Sequence, residues 1–208
     1  AAIMLPILIV QDMVSVWFYR HDFDRRVVAI LLGGSLIGIA AGALFAAHVS
    51  NAAVLLIVGL IASGLVLYSW LRKGSQEATP QPANGAPGLF WGACLGFTSF
   101  IANAGSPPFQ VYVLPQRLKP QTYAGVQTMV FTAVNLIKFA AFFALGQVSF
   151  ENMAVSASLF PLAIAATFSG VWLVRRVQAG FFYKFVYAMT FVIGLKLIWD
   201  GARGLGLI

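Results

Sequence analysis

Apolar residues run along this chain in long blocks rather than in the short alternations of a half-buried surface element. Six blocks approach or exceed the roughly 20 residues a helix needs to cross a bilayer. They cover roughly 2–19, 26–47, 52–71, 123–146, 153–174 and 180–199, and each predicts a spanning helix. A seventh apolar region, roughly 88–118, is different. At about 1.5 Å per residue it would make about 45 Å of helix, too long for one span. It is also interrupted by Asn103-Ala104-Gly105-Ser106-Pro107-Pro108. Glycine ends helices and two successive prolines delete two backbone donors. The one polar linker is Gly74 to Pro87, rich in Pro, Gly, Gln and Ser, and it predicts an exposed loop between two parts of the chain.

Charge orients these elements, because short cytoplasmic loops carry the Lys/Arg excess. Arg20, Arg25 and Arg26 follow the first block; Arg72 and Lys73 follow the third; Arg117 and Lys119 follow the interrupted region; Arg175, Arg176 and Lys184 surround the gap before the last block. The loops from His48 to Asn51 and from Gln147 to Asn152 hold no Lys or Arg. If 88–118 is re-entrant, entering and leaving by one face, every basic loop is cytoplasmic and both neutral loops are external. A full crossing would break that agreement. Four of the five tryptophans (Trp17, Trp70, Trp91 and Trp172) then fall at cytoplasmic helix ends, as an aromatic belt would, and Trp199 falls at the other.

The fold class expected is therefore an all-α polytopic membrane protein with six spanning helices and one broken re-entrant hairpin. The two groups of three spans share Gly42 with Gly170 and Gly64-Leu65 with Gly194-Leu195, a short match, and their basic loops fall in opposite places. That reads as an inverted-topology repeat, a recurrent transporter design. The first repeat would be 1–73, the linker 74–87 and the second repeat 88–208. The first repeat lacks a re-entrant segment of its own. The chain opens inside a helix with no initiator Met and no basic leader, so that segment is expected upstream of Ala1.

Composition agrees. The 208 residues are 60% hydrophobic and 9% charged, against about 25% charged in soluble domains. The net charge of +7 sits in loops and reports orientation, so nucleic acid is not the expected partner. The lipid bilayer and a small substrate are. Cys94 is the only cysteine, which excludes an intrachain disulfide. No metal-binding cluster, cofactor motif or nucleophile–base arrangement is evident in the sequence, so an enzyme is not expected.

The interruption carries the chemistry. Gly105 can end one half-helix in the left-handed region, Ser106 can cap a second, and Pro107 suits its first position. The second half-helix would start inside the membrane, with free N–H groups and a partial positive charge that suit an anion. Asn103 and Gln110 flank it. The plain alternative is a kink packed by neighbouring helices with no ligand.

The run from Gly96-Phe97-Thr98-Ser99 through Gly105-Ser106-Pro107-Pro108 to Tyr112-Val113-Leu114 resembles the second signature of the TauE/SafE sulfite exporter family. The family's second glycine is replaced by Ser106. Asn135-x-x-Lys138 resembles the Asn-x-x-Lys pattern of the following helix. The family's first signature, on an N-terminal re-entrant helix, is absent. The resemblance implies transport of small anions such as sulfite and sulfonates across the bacterial cytoplasmic membrane, with export as the implied direction.

Thr128, Phe131, Asn135 and Lys138 fall on one helical stripe. Lys138 can supply a cation to an anionic substrate, or it can snorkel to the headgroups. Asn135 is a substrate contact or interhelical glue. Gln11 lies at matching depth in the first block, and it and Thr128 are expected to contribute to the substrate site. Beside it, Asp12 is the only carboxylate deep in a span. It is a candidate proton-coupling residue, since such a carboxyl can take up and release a proton, or else a structural partner. Lys196 and Asp200 form an i,i+4 pair near the outer end of the last block. Gly34-x3-Gly38-x3-Gly42 is a stripe for close helix packing, of a kind that also serves homo-oligomers. The function expected is secondary transport of a small anion, with the repeats rocking about a midplane site. An anion channel and a non-transporting scaffold are the alternatives.

Overall fold

The computed structural model describes residues 4–71, 80–144 and 150–207. These form eight α-helices and one 3-10 turn, with no strand among them: α1 (Met4–Tyr19), α2 (Arg25–Phe45), α3 (Asn51–Leu71), α4 (Gly85–Ala102), α5 (Ser106–Val113), the 3-10 turn Leu114–Gln116, α6 (Pro120–Ala144), α7 (Phe150–Arg176) and α8 (Ala179–Gly204). Six of them (α2, α3, α4, α6, α7 and α8) are long and apolar enough to cross a membrane. Leu44, Ile57, Leu60, Leu162 and Val192 all lie exposed on their helices. So many bared aliphatics suit lipid tails and not water. This is a polytopic membrane protein.

Helix limits follow local chemistry. The Asp24 carboxylate caps α2, its Oδ1 accepting the N–H groups of Arg26 at 2.8 Å and Val27 at 3.1 Å. Pro120 opens α6, where its missing donor costs nothing. Arg175 and Arg176 occupy the last turn of α7, on the favourable side of the helix dipole. The gap before α8 is thus shorter than the basic residues suggested, and Lys184 lies within α8. The linker expected over 74–87 also ends sooner, since Gly85, Ala86 and Pro87 form the first turn of α4. A proline is tolerated there because first-turn N–H groups have no intrahelical acceptor. Arg72, Lys73, the rest of that linker up to residue 79, the chain's first three residues and Gln147 lie outside the described residues.

The chain divides into two compact units: residues 1–28 with 119–178, and residues 29–118 with 179–208. In the first unit α1 packs against both α6 and α7. Its basic end is pinned by aromatic contacts. Arg20 stacks 4.1 Å over Trp17 and Arg176 4.4 Å over Trp172, while Arg175 Nη2 donates 3.1 Å to the Phe18 carbonyl. Trp–Arg pairs of this kind suit a headgroup layer.

In the second unit α3 packs along α8, and α4, α5 and α3 pack together. The Gly34-Gly38-Gly42 stripe faces α4. A Cβ on Gly34 would lie 2.2 Å from the Leu89 carbonyl oxygen, and one on Gly38 would lie 2.0 Å from that of Ala93. A Cβ on Gly96 of α4 would come equally close to the Ser35 carbonyl oxygen, at 2.2 Å. Only residues without side chains let two backbones approach this far. The stripe is therefore spent on packing within the chain. Lys196 and Asp200 form the i,i+4 ion pair on the exposed side of α8.

Candidate functional site

The interruption of region 88–118 lies in the second unit, between α4 and α5. Its geometry differs from the sequence expectation by two residues. Asn103, and not Gly105, takes the left-handed conformation, at φ 52 and ψ 29, and returns its N–H to the end of α4. Asn is one of the few residues that enter this region readily, because its short amide bonds locally. Gly105 is helical, at φ −77 and ψ −18, and serves as the N-cap of α5. Ser106 is therefore the first helical residue, and Pro107 and Pro108 follow it within the first turn. Phe109 donates 3.3 Å to the Gly105 carbonyl and begins the regular ladder. Neither proline has an N–H, so the backbone donors available to a ligand at this helix start are those of Gly105 and Ser106.

The break is held from three sides. The Thr98 hydroxyl lies 2.8 Å from the Cys94 carbonyl and 3.1 Å from that of Ala104, tying the turn to α4. Ala104 packs in a cluster with Val54 and Val58 of α3. Gln110, one turn into α5, meets Thr190 of α8, with Oε1 to Oγ1 at 2.7 Å. The same hydroxyl lies 2.7 Å from the Val186 carbonyl. A hydroxyl has one proton to give. If it goes to Val186, the Gln110 amide turned over can donate in its place. Thr190 is a positioning residue that the sequence did not single out. Gly105, Pro107 and Pro108 are buried, Ser106 and Gln110 half-buried, and Asn103 exposed.

The two ends of this hairpin meet. Gln81 donates 3.1 Å to the carbonyl of Pro115, and the Tyr112 hydroxyl donates 3.0 Å to that of Asn84. The segment leading into α4 and the segment leaving α5 are thus side by side. The Tyr183 hydroxyl on α8, donating 2.7 Å to the Leu118 carbonyl, fixes the exit.

The remaining residues singled out from sequence lie in the first unit. Asn135 Nδ2 donates 2.8 Å to Asp12 Oδ2, joining α6 to α1 at the depth where Gln11 and Asn135 were matched. Gln11 Nε2 lies 3.5 Å from the Ala163 carbonyl on α7. That carbonyl also accepts the Thr167 hydroxyl at 2.8 Å. Lys138 follows one turn after Asn135 and is 1% exposed. It does not snorkel.

A cavity of about 340 Å³ opens among the three helices of this unit. It is lined by Gln11, Asp12, Ser15 and Tyr19 of α1, by Ala124, Gln127, Thr128 and Phe131 of α6, and by Thr167, Gly170 and Val171 of α7. The α6 set follows spacings of three, one and three, one face of a helix. The lining takes the halves of α1, α6 and α7 that lead to Arg20, Lys119 and Arg175. Asp12 ends it. Neither Asn135 nor Lys138 is part of the lining. Ser15, Tyr19, Gln127 and Thr167 escaped the sequence reading, although Asp12, Ser15 and Tyr19 share one helical face.

Sequence comparison bears on what this arrangement belongs to. Residues 1–197 match the family described as Sulfite exporter TauE/SafE. No curated protein and no solved structure matches the chain. With the family profile covering nearly all of a polytopic chain whose fourth and fifth helices meet at a Gly-Ser-Pro-Pro break, the protein belongs to the TauE/SafE sulfite exporter family, a family of membrane transporters and not of enzymes.

Proposed function

We propose that the protein is a secondary transporter, working as an exporter, of small anions such as sulfite or sulfonates across the bacterial cytoplasmic membrane. The observation that carries this reading is the α4–α5 break. Non-helical backbone at membrane depth is tolerated only where it is buried in protein or lines a water-filled cavity. Here Asn103 bends the chain, Gly105 is buried and Ser106 is half-buried at a helix start. The Gly105 and Ser106 N–H groups, the Ser106 hydroxyl and the Asn103 carboxamide are the donors offered to an oxyanion. Pro107 fixes the direction of α5, and Gln110, held by Thr190, adds a further polar group.

The hairpin is read as re-entrant. The bond from Gln81 to Pro115 supports this, because a segment crossing the bilayer once could not bring its ends together. All four basic loops then lie on the cytoplasmic side. An inverted repeat, 1–73 against 88–208, is supported by the packing of α1 on α6 and of α3 on α8. Those helices occupy equivalent places in the two repeats, and elements near a two-fold axis meet their own equivalents.

In the first unit, Asn135 and Lys138 are further candidates for the anion. Asp12 is the proposed coupling residue, and Gln11 and Thr128 line the cavity that reaches it. Binding tests the assignment. Sulfite titrated into the detergent-solubilised chain should raise its unfolding temperature, and Ser106→Leu should abolish that rise while leaving the sulfite-free value within a few degrees. A retained sulfite response in Ser106→Leu would remove the break from the site.

A further inference from the structure

The unit 1 cavity suits an ion of the opposite sign. Its polar lining consists of two carboxamides (Gln11 and Gln127), four hydroxyls (Ser15, Tyr19, Thr128 and Thr167) and the Asp12 carboxylate. Among the described residues no Lys, Arg or His lines it. A single carboxylate in a cavity with low-dielectric walls sets the sign of the local field, because attraction to it is far less screened than in water. An anion drawn to Asp12 would meet that charge with no cationic side chain in the lining to offset it. Asn135 satisfies one carboxylate oxygen with a 2.8 Å hydrogen bond, but an amide donor carries no net charge to cancel the other. Among the described residues no group of three or more His, Cys, Asp or Glu side chains is arranged for a metal ion. One carboxylate among neutral oxygens is balanced in charge by a single monovalent cation.

The other charged groups of the surrounding helices lie outside the lining, with Arg20, Lys119 and Arg175 at the end of the unit to which it leads. On α1 Tyr19 lines the cavity. On α6 Tyr123 precedes the lining stretch and Lys138 lies one turn beyond Asn135. On α7 Arg175 and Arg176 close the helix, with Arg175 engaged at the Phe18 carbonyl and Arg176 over Trp172.

We propose that this cavity admits a monovalent cation, a proton or Na+, which neutralises Asp12, and that it excludes the transported anion. Gln11 and Thr128 then serve the cation and not the substrate. The transport reading enters only in making this cation the coupling ion; the charge preference of the cavity stands without it.

The test uses the full chain carrying Cys94→Ala, so that one thiol is present. Ser15→Cys places that thiol on α1, three residues from Asp12, and Gln127→Cys places it on the facing wall. Each is reacted with two methanethiosulfonates of similar size, one bearing a trimethylammonium group and one a sulfonate, with rates normalised to a free thiol. The cationic reagent should react at least about tenfold faster at either position, and Asp12→Asn should bring the ratio near one. Exchanging choline for Na+ should lower the ratio if Na+ is the ion. Lowering the pH should do so without Na+ if a proton is. An equal or faster rate for the sulfonate reagent at both positions overturns the proposal. So does a ratio that neither ion changes. Sulfite-dependent thermal stabilisation of the same Asp12→Asn chain reports separately on the anion. Its absence there and in the Asp12 chain would defeat the transport reading while leaving the charge preference as measured.

Discussion

Asn135 on α6 donates a 2.8 Å hydrogen bond to the carboxylate of Asp12 on α1, joining by side chains two helices far apart in sequence. Removing either partner leaves the other a polar group without its mate in a low-dielectric interior. A double-mutant cycle of Asp12→Ala and Asn135→Ala, read by unfolding in mild detergent, should give a coupling of about 0.6–2 kcal/mol, the range of interhelical hydrogen bonds in membrane proteins. A coupling near zero would mean that the bond contributes nothing to holding α1 on α6.

The left-handed turn at Asn103 makes a second case. Asn103→Gly should leave stability within about 0.5 kcal/mol, since glycine enters that region freely. Asn103→Val should cost about 1–2 kcal/mol, because a β-branched side chain clashes there. Thermal unfolding of the two variants side by side checks the order. Loss of sulfite stabilisation in both would add that the amide itself contacts the anion.

Glycine spacing between α2 and α4 gives a contrast within one chain. Gly38→Ala would set a methyl 2.0 Å from the Ala93 carbonyl oxygen, whereas a Cβ on Gly64 meets nothing within 4 Å. Gly38→Ala should therefore destabilise by more than about 2 kcal/mol. Gly64→Ala should be neutral or stabilising by up to about 1 kcal/mol. Folded yield and unfolding temperature of the two variants measure this directly.

Thr190 positions Gln110 from α8. Thr190→Val keeps the shape and deletes the hydroxyl, and should lower anion flux several-fold with a stability loss of about 1 kcal/mol. Thr190→Ser should restore most of both. If Thr190→Val transports as well as the parent, Gln110 does not depend on that contact.

Much of this arrangement was legible in the sequence, for identifiable reasons. Hydrophobic blocks of span length have one stable fate, a helix in a bilayer, so five of the six expected spans emerged with ends shifted by a few residues, while the first block gave the shorter apolar helix α1 and the interrupted region gave α4 as the sixth helix long enough to cross. Two consecutive prolines cannot sit in mid-helix, so a break just ahead of Pro107-Pro108 was equally plain. Its inner geometry was not. Gly105 and Asn103 can both turn left-handed, and the choice depends on where Thr98 and Ala104 are held. Helix pairing was also hidden. A helix apolar all round has no polar face to show which side meets a partner, so α3 on α8 and α1 on α7 left no local trace. Lys138 was ambiguous for the same reason, since its depth along the helix was known and its direction was not. The cavity joins α1, α6 and α7, remote in sequence, and only Gln11 and Asp12 on α1 and Thr128 and Phe131 on α6 announced a share of it.

On the proposed function, the chain carries a small anion through a site that includes the α4–α5 break. Flux into proteoliposomes tests it most directly, with sulfite, a sulfonate and a carboxylate offered in turn at fixed membrane potential. Uptake of sulfite or the sulfonate should be saturable, and reduced at least about tenfold by Ser106→Leu in protein that is folded and inserted. No anion flux above empty liposomes, or flux untouched by Ser106→Leu, would contradict it.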